Sequence, residues 1–287
     1  MHSPQSGQSP RARAEPREVI ELKNLKSAHP ELTQAVDMQL ALIALQKRVQ
    51  ARVPIPGLQI DEARLQRHMA ERRPLLAFHE IPLDWTDMRL MTRQTVDVLR
   101  RFDSIEAEGA LTLQALAREP LHFPQIVEAW YNSTGARDGA SPPPDTTGML
   151  DQVMTLAMRP FLVRCAETIL PQIDLERWDA PRCPLCGGEP ELAVITPAAQ
   201  RRLICGRCTG AWAFDPLACP FCGNADRSRI TSFTSRDGQY RLYGCDSCHR
   251  YLKAFDGRHA SRGALLAVDT VATLPLDAAA MQKGYQG

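Results

Sequence analysis

Cys183-Pro-Leu-Cys186, Cys205-Gly-Arg-Cys208, Cys219-Pro-Phe-Cys222 and Cys245-Asp-Ser-Cys248 hold eight of the chain's nine cysteines within 66 residues. A Cys-x-x-Cys turn directs two sulfurs at one metal ion, and a second turn on a neighbouring hairpin closes a tetrahedron with Zn–S distances of about 2.3 Å. Two pairs make one tetrathiolate site, so four make two. The gaps between pairs are 18, 10 and 22 residues. They suit two tandem ribbons, Cys183/Cys186/Cys205/Cys208 and Cys219/Cys222/Cys245/Cys248, whereas the rival cross-brace joins alternate pairs and interleaves the sites. Tetrahedral sulfur accommodates iron and zinc alike, so the expected cofactors are two tetrathiolate ions per chain of either metal.

The first and third pairs continue as Cys-Pro-x-Cys-Gly, the knuckle of rubredoxins and zinc ribbons. Proline fixes φ for the turn, and Gly187 and Gly223 take the positive φ that a side chain resists. Around the knuckles lie short β-prone runs: Leu192–Ile195, Arg202–Cys205, Ile230–Phe233 and Tyr240–Gly244. They offer too little apolar material to fold without metal, so Trp212, Phe214, Phe221, Phe233 and Tyr243 are expected to form small cores that shield the sulfurs. His249 follows Cys248 and reads as a surface or supporting residue.

Upstream the pattern is helical. Leu32, Val36, Leu40 and Ile43 recur at helix spacing within 30–49, and similar patterns occupy 61–76, 85–102, 104–116 with Ser104 as cap, and 124–131. Residues 132–146, with Gly135, Gly139 and Pro142-Pro143-Pro144, read as a loop or hinge, and 147–170 resumes the helical pattern, with Pro160 expected to kink or divide it. Cys165, on that apolar segment, reads as a small buried hydrophobe. His29, His68, His79 and His122 have no ligand spacing. The expected architecture is α+β and multidomain: a tail over 1–18, an all-α domain over 19–178, rubredoxin/zinc-ribbon-like metal modules over 179–213 and 214–262, and a C-terminal segment with a short helix over 263–287.

The formal charge of +1 argues against nucleic acid or an acidic membrane surface as the main partner. Residues 183–262 carry 11 Lys/Arg against 7 Asp/Glu, so the metal region is mildly basic. No secretory signal is read at the N-terminus, and the apolar stretch 263–281 is interrupted by Asp269, Pro275 and Asp277, which argues against a membrane span. Paired cysteines without such signals fit a reducing cytoplasm, where they favour metal over disulfides. A closed tetrathiolate site has no position for substrate, and no phosphate loop or nucleophile elbow appears elsewhere, so no catalytic residue is assigned.

The residues flanking the knuckles are more specific than their spacing. Cys183-Pro-Leu-Cys-Gly-Gly-Glu-Pro, Cys205-Gly-Arg-Cys followed by Trp212, Cys219-Pro-Phe-Cys-Gly-Asn, and Cys245-Asp-Ser-Cys-His-Arg-Tyr-Leu-Lys253 together resemble the formate dehydrogenase accessory protein family, FdhE. Asp269-Thr-Val-Ala-Thr-Leu-Pro-Leu-Asp277 and Gly284-Tyr285 resemble that family's closing segment, with Pro275 a departure at the start of the final helix. The resemblance implies a cytoplasmic, rubredoxin-like iron- or zinc-binding protein that acts on the catalytic subunit of respiratory formate dehydrogenase without oxidising formate itself. All eight paired cysteines carry over as metal ligands. Two other readings of the knuckles are a zinc-ribbon nucleic-acid-binding protein, using Arg201, Arg202, Arg227, Arg229 and Arg241, and a rubredoxin-like electron-transfer protein.

Overall fold

The computed structural model describes residues 15–133 and 146–287. Among these residues seven α-helices come first: α1 (Arg17–Ala28), α2 (Thr33–Gln50), α3 (Glu62–Glu71), α4 (Trp85–Arg101), α5 (Ala107–Leu116), α6 (His122–Asn132) and α7 (Thr146–Ile169). Six strands follow: β1 (Pro190–Ile195), β2 (Arg201–Cys205), β3 (Ala211–Ala213), β4 (Ile230–Thr234), β5 (Tyr240–Cys245) and β6 (Arg250–Asp256). The chain closes with α8 (Leu266–Ala272) and α9 (Leu274–Gln282). Among the described residues, no helix is long and apolar enough to cross a membrane.

The helices start where local chemistry satisfies their first N–H groups. Asp61 accepts from the Arg64 amide at 2.7 Å, and Asp84 accepts from the Asp87 amide at 2.8 Å. Along α4, Met88, Met91, Thr92, Thr95, Val96 and Leu99 form one buried stripe at three- and four-residue spacing. That stripe joins Val153, Met154, Ala157, Met158, Phe161 and Leu162 of α7 in a core that continues without interruption into Cys183, Leu185, Cys186, Leu203 and Trp212.

Several sequence expectations change in detail. α1 begins inside the stretch read as a tail, while residues 1–14 and most of the 132–146 loop lie outside the described residues. α3 ends at Glu71 instead of running to 76, because Arg72 turns left-handed at φ 52°. The released segment runs to the first knuckle, where the amides of Leu75 and Leu76 donate to the carbonyls of Pro184 and Leu185 at 2.8 and 2.9 Å. Ser104 does not cap α5: its amide closes the end of α4 by donating to the Leu99 carbonyl at 2.9 Å, and its hydroxyl reaches Met38 Sδ at 3.2 Å. Pro160 does not divide α7, which remains one helix of 24 residues. A proline at 160 leaves the Leu156 carbonyl without its helical donor, and Gln46 Nε2 from α2 takes that acceptor at 3.0 Å.

All six strands form one sheet in the order β3-β2-β1-β6-β5-β4. Each half repeats one plan, a knuckle, a hairpin with the next knuckle at its end, and a returning strand. The halves meet where β1 pairs parallel with β6, Ala193 opposite Ala254, both fully buried. Both alanines belong to the core that the sheet shares with the helices. The C-terminal segment forms two helices rather than one, with Pro275 in the first turn of α9, where its missing N–H costs nothing. Val268 and Val271 of α8 pack with Leu22, Leu32, Val36 and Ile43, tying the end of the chain to α1 and α2.

Candidate metal centres

Each knuckle is built by the same backbone turn. The residue four after the first cysteine donates its N–H to that cysteine's carbonyl: Gly187 to Cys183 at 2.9 Å, Thr209 to Cys205 at 3.1 Å, Gly223 to Cys219 at 2.9 Å and His249 to Cys245 at 2.8 Å. All four donors have positive φ, between 55° and 73°. Glycine takes this conformation freely in the first and third knuckles, whereas Thr209 and His249 adopt it with a Cβ in place. His249 is exposed and acts through its backbone, since its carbonyl also accepts from the Gln286 amide at 2.7 Å.

The turns gather the sulfurs into two tandem groups, Cys183/Cys186/Cys205/Cys208 and Cys219/Cys222/Cys245/Cys248, and within each the ligand atoms lie within 4.8 Å of one another. The first group has Sγ separations of 3.5 Å for both Cys183–Cys208 and Cys186–Cys205. In the second, Cys219–Cys248 is 3.8 Å and Cys222–Cys245 is 3.6 Å. A metal with four bonds of about 2.3 Å requires sulfur–sulfur edges of about 3.8 Å, so both groups fit one tetrahedral ion each. The alternate pairing of a cross-brace is not adopted. Neither group contains a histidine, so His29, His68, His79 and His122 lie outside both.

The electrostatics of the first group also call for a cation. Burial pushes the Cys183 thiol well above its ordinary pKa; hydrogen bonds within the group do the same for Cys208, with burial adding. Cys205 moves the other way: burial opposes its ionisation, but hydrogen bonds from Cys183, Cys186 and Cys208 outweigh it. Four thiolates need positive charge at their centre. Arg207, buried in the second knuckle, adds a fixed cation beside them, its amide donating to Cys205 Sγ at 3.3 Å and its guanidinium 3.7 Å from the Trp130 ring centre. Cys165 is separate: it is fully buried in α7, and burial pushes its thiol up to about 12.

The aromatic residues expected around the sulfurs divide by depth. Trp212 is 1% exposed, and its indole N–H donates to the Ala180 carbonyl at 3.1 Å. Phe214, Phe221 and Tyr243 pack at the margin of the main core, while Phe233 packs against Leu242, Ala280 and Tyr285. A cleft of about 520 Å³ between the two groups is lined by Arg182, Glu189, Arg207, Phe221, Arg250 and Lys253, among others. Its charges are paired, with Arg182 and Arg250 on Glu189 at 3.0 and 2.8 Å and Lys253 on Asp277 at 2.6 Å. Sequence reading missed β6, although Tyr251, Leu252, Ala254 and Phe255 carried an apolar signal within it.

No family model matches the chain. A curated protein described as a Protein FdhE homolog, from Aquifex aeolicus (strain VF5), is 27% identical over 133 residues, 45% of this chain and 46% of that protein. The match therefore spans less than half the length of that relative. The crystal structure of the FdhE protein from Pseudomonas aeruginosa has a TM-score of 0.60 against this chain, covering 94% of this chain and 92% of that one at 21% identity. At that identity the likeness establishes a shared fold. Two tandem four-cysteine groups on a helical body, within the fold of a solved FdhE protein and with sequence similarity to an FdhE homolog, support the FdhE resemblance carried by the knuckles.

Proposed function

We propose that this chain is an accessory protein of respiratory formate dehydrogenase, which binds the enzyme's catalytic subunit in the cytoplasm, is required for its activity and has no turnover of its own. The observation that carries this reading is the pair of four-cysteine groups set in the fold of a solved FdhE protein. Each group holds one iron or zinc ion, with Cys183, Cys186, Cys205 and Cys208 as ligands in the first and Cys219, Cys222, Cys245 and Cys248 in the second. A bound zinc ion supplies a structural crosslink, and a bound iron ion adds a one-electron couple. The helical domain and the exposed ribbon edges share the contact, since four knuckles alone offer little apolar area for a stable interface.

The nucleic-acid reading loses two of its five arginines. Arg201 is 8% exposed and donates to the carbonyls of Asp215 and Ala218 at 3.2 and 2.9 Å, and Arg241 is paired with Asp256 at 2.8 Å. The test is capture of the tagged chain from formate-respiring cells, with metal analysis of the same sample. The expected result is enrichment of the formate dehydrogenase catalytic subunit. Normal formate dehydrogenase activity in a clean deletion strain with no second copy of the gene would overturn the proposal.

A further inference from the structure

The two cysteine groups differ in how they meet solvent. Cys183 and Cys186 are 1% exposed, and Cys205 and Cys208 are fully buried. In the second group Cys219 and Cys245 are buried, but Cys222 is exposed and Cys248 half-buried. The glycines beside the sulfurs place the opening at one side only, since Gly244, next to Cys245, is packed as tightly as those of the first group, a Cβ there lying 2.6 Å from the Tyr285 ring. A Cβ on Gly188 would lie 2.7 Å from Cys205 Sγ, and one on Gly210 would lie 2.6 Å from Leu170 Cδ1 and 3.3 Å from Cys208 Sγ. At Gly223, among the described residues, nothing lies within 4 Å of that position. The first group is packed against the body down to its backbone, whereas the second has an open side at Cys222 and Gly223.

Ligand exchange at a closed tetrathiolate centre starts with a fifth donor approaching the metal as one sulfur leaves. The cysteines of the first group are at most 1% exposed and leave no open approach, with the Leu75 and Leu76 amides bonded to its first knuckle and Arg207 stacked on Trp130 beside it. The second offers one over Cys222. We propose that the Cys219/Cys222/Cys245/Cys248 group is a metal-exchange site, which passes its ion to and from external thiolate or nitrogen donors, while the ion of the first group is a permanent part of the fold. In the exchange, the Cys222 sulfur–metal bond breaks as the bond to the incoming donor forms, Cys222 takes up a proton from solvent, and no electron moves. This inference rests on the reading that both groups hold ions.

The experiment uses the full chain loaded with zinc and challenged with pyridylazoresorcinol, a coloured chelator, while helical circular dichroism is followed in the same sample. We expect two phases, with one equivalent released at least about tenfold faster than the other and no loss of helix during the fast phase. Cys222→Ser should eliminate the fast equivalent and retain the slow one. Release of both equivalents in a single phase, or a fast equivalent that persists in Cys222→Ser, overturns the proposal. Because a serine variant can fail to fold, brief iodoacetamide labelling of the native chain gives a second measure. Cys222 and Cys248 should be alkylated in step with the fast phase while Cys183 and Cys186 stay protected, and simultaneous labelling of both groups overturns the assignment. A loaded chain that holds fewer than two equivalents at the outset fails the two-ion reading itself, and the exchange proposal with it.

Discussion

Single residues in this chain act through what they neutralise. Cys183 is one of four sulfurs gathered within 4.8 Å of one another, and with an ion at their centre Cys183→Ser should remove about one equivalent of metal and loosen the first ribbon, metal binding contributing about 10 kcal/mol or more in such folds. Metal analysis of the purified variant checks this, and an unchanged content would remove Cys183 from the ligand set. Asp256 is a second case. Arg258 donates to it at 2.8 and 2.6 Å and Arg241 at 2.8 Å, and these bonds, Arg258's first, hold its carboxyl well below the usual carboxylate range against the opposing push of burial. A depressed folded pKa contributes stability above the unfolded pKa and loses it as pH falls through the folded value. Asp256→Asn should therefore cost about 1.5–3 kcal/mol near neutrality, with the gap to the parent narrowing in acid. Urea unfolding at a series of pH values measures that gap, and a gap constant with pH would reject the ionised pair as its source.

At the scale of elements, α7 shows how a neighbour repairs a local defect. Pro160 leaves the Leu156 carbonyl unpaired within its own helix, and the Gln46 amide on α2 fills the place. Replacing Gln46 with Leu should destabilise the chain by about 1 kcal/mol by orphaning that acceptor. Pro160→Ala restores the helical donor and should reduce the cost of Gln46→Leu, a coupling that a double-mutant cycle reads directly. Additive effects would show that the amide stabilises α7 by packing alone. β6 makes a related point about charge within a strand. Lys253 and Asp256 are both buried, yet each finds an opposite charge, Lys253 on Asp277 from α9 and Asp256 on Arg241 and Arg258.

For the whole molecule, what matters is that the first cysteine group belongs to the main core and the second sits at the margin. The core that begins at α2 and α4 ends on Cys183, Cys186, Cys205 and Cys208. Loss of the first ion should therefore reach the helices, and Cys183→Ser should lower the helical melting midpoint more than Cys222→Ser. Thermal circular dichroism of the two variants decides it. Equal midpoints would mean that the first knuckle pair is energetically separate from the helices despite the Leu75 and Leu76 hydrogen bonds.

The sequence by itself determined the four Cys-x-x-Cys knuckles and favoured their tandem pairing over a cross-brace, and it determined the positive-φ turns at Gly187 and Gly223, the helical body, and strands β1, β2, β4 and β5. These follow from spacing, turn chemistry and apolar period, all local properties. β6 was hidden because Arg250, Lys253 and Asp256 look like a solvated run, although Lys253 and Asp256 are buried and Arg250 and Lys253 are paired with Glu189 and Asp277 from elsewhere in the chain, and α1 because only Leu22 of its residues is fully buried. The end of α3 at Glu71 was hidden because the residues beyond it serve a knuckle more than a hundred positions away. Tertiary structure alone decided that the two ribbons join into one sheet through Ala193 and Ala254, and that one cysteine group is enclosed while the other opens at Cys222. The leading knuckle of each half reads Cys-Pro-x-Cys-Gly, and the difference in exposure lies in what packs against them: the helical core covers the first group and leaves one side of the second in water.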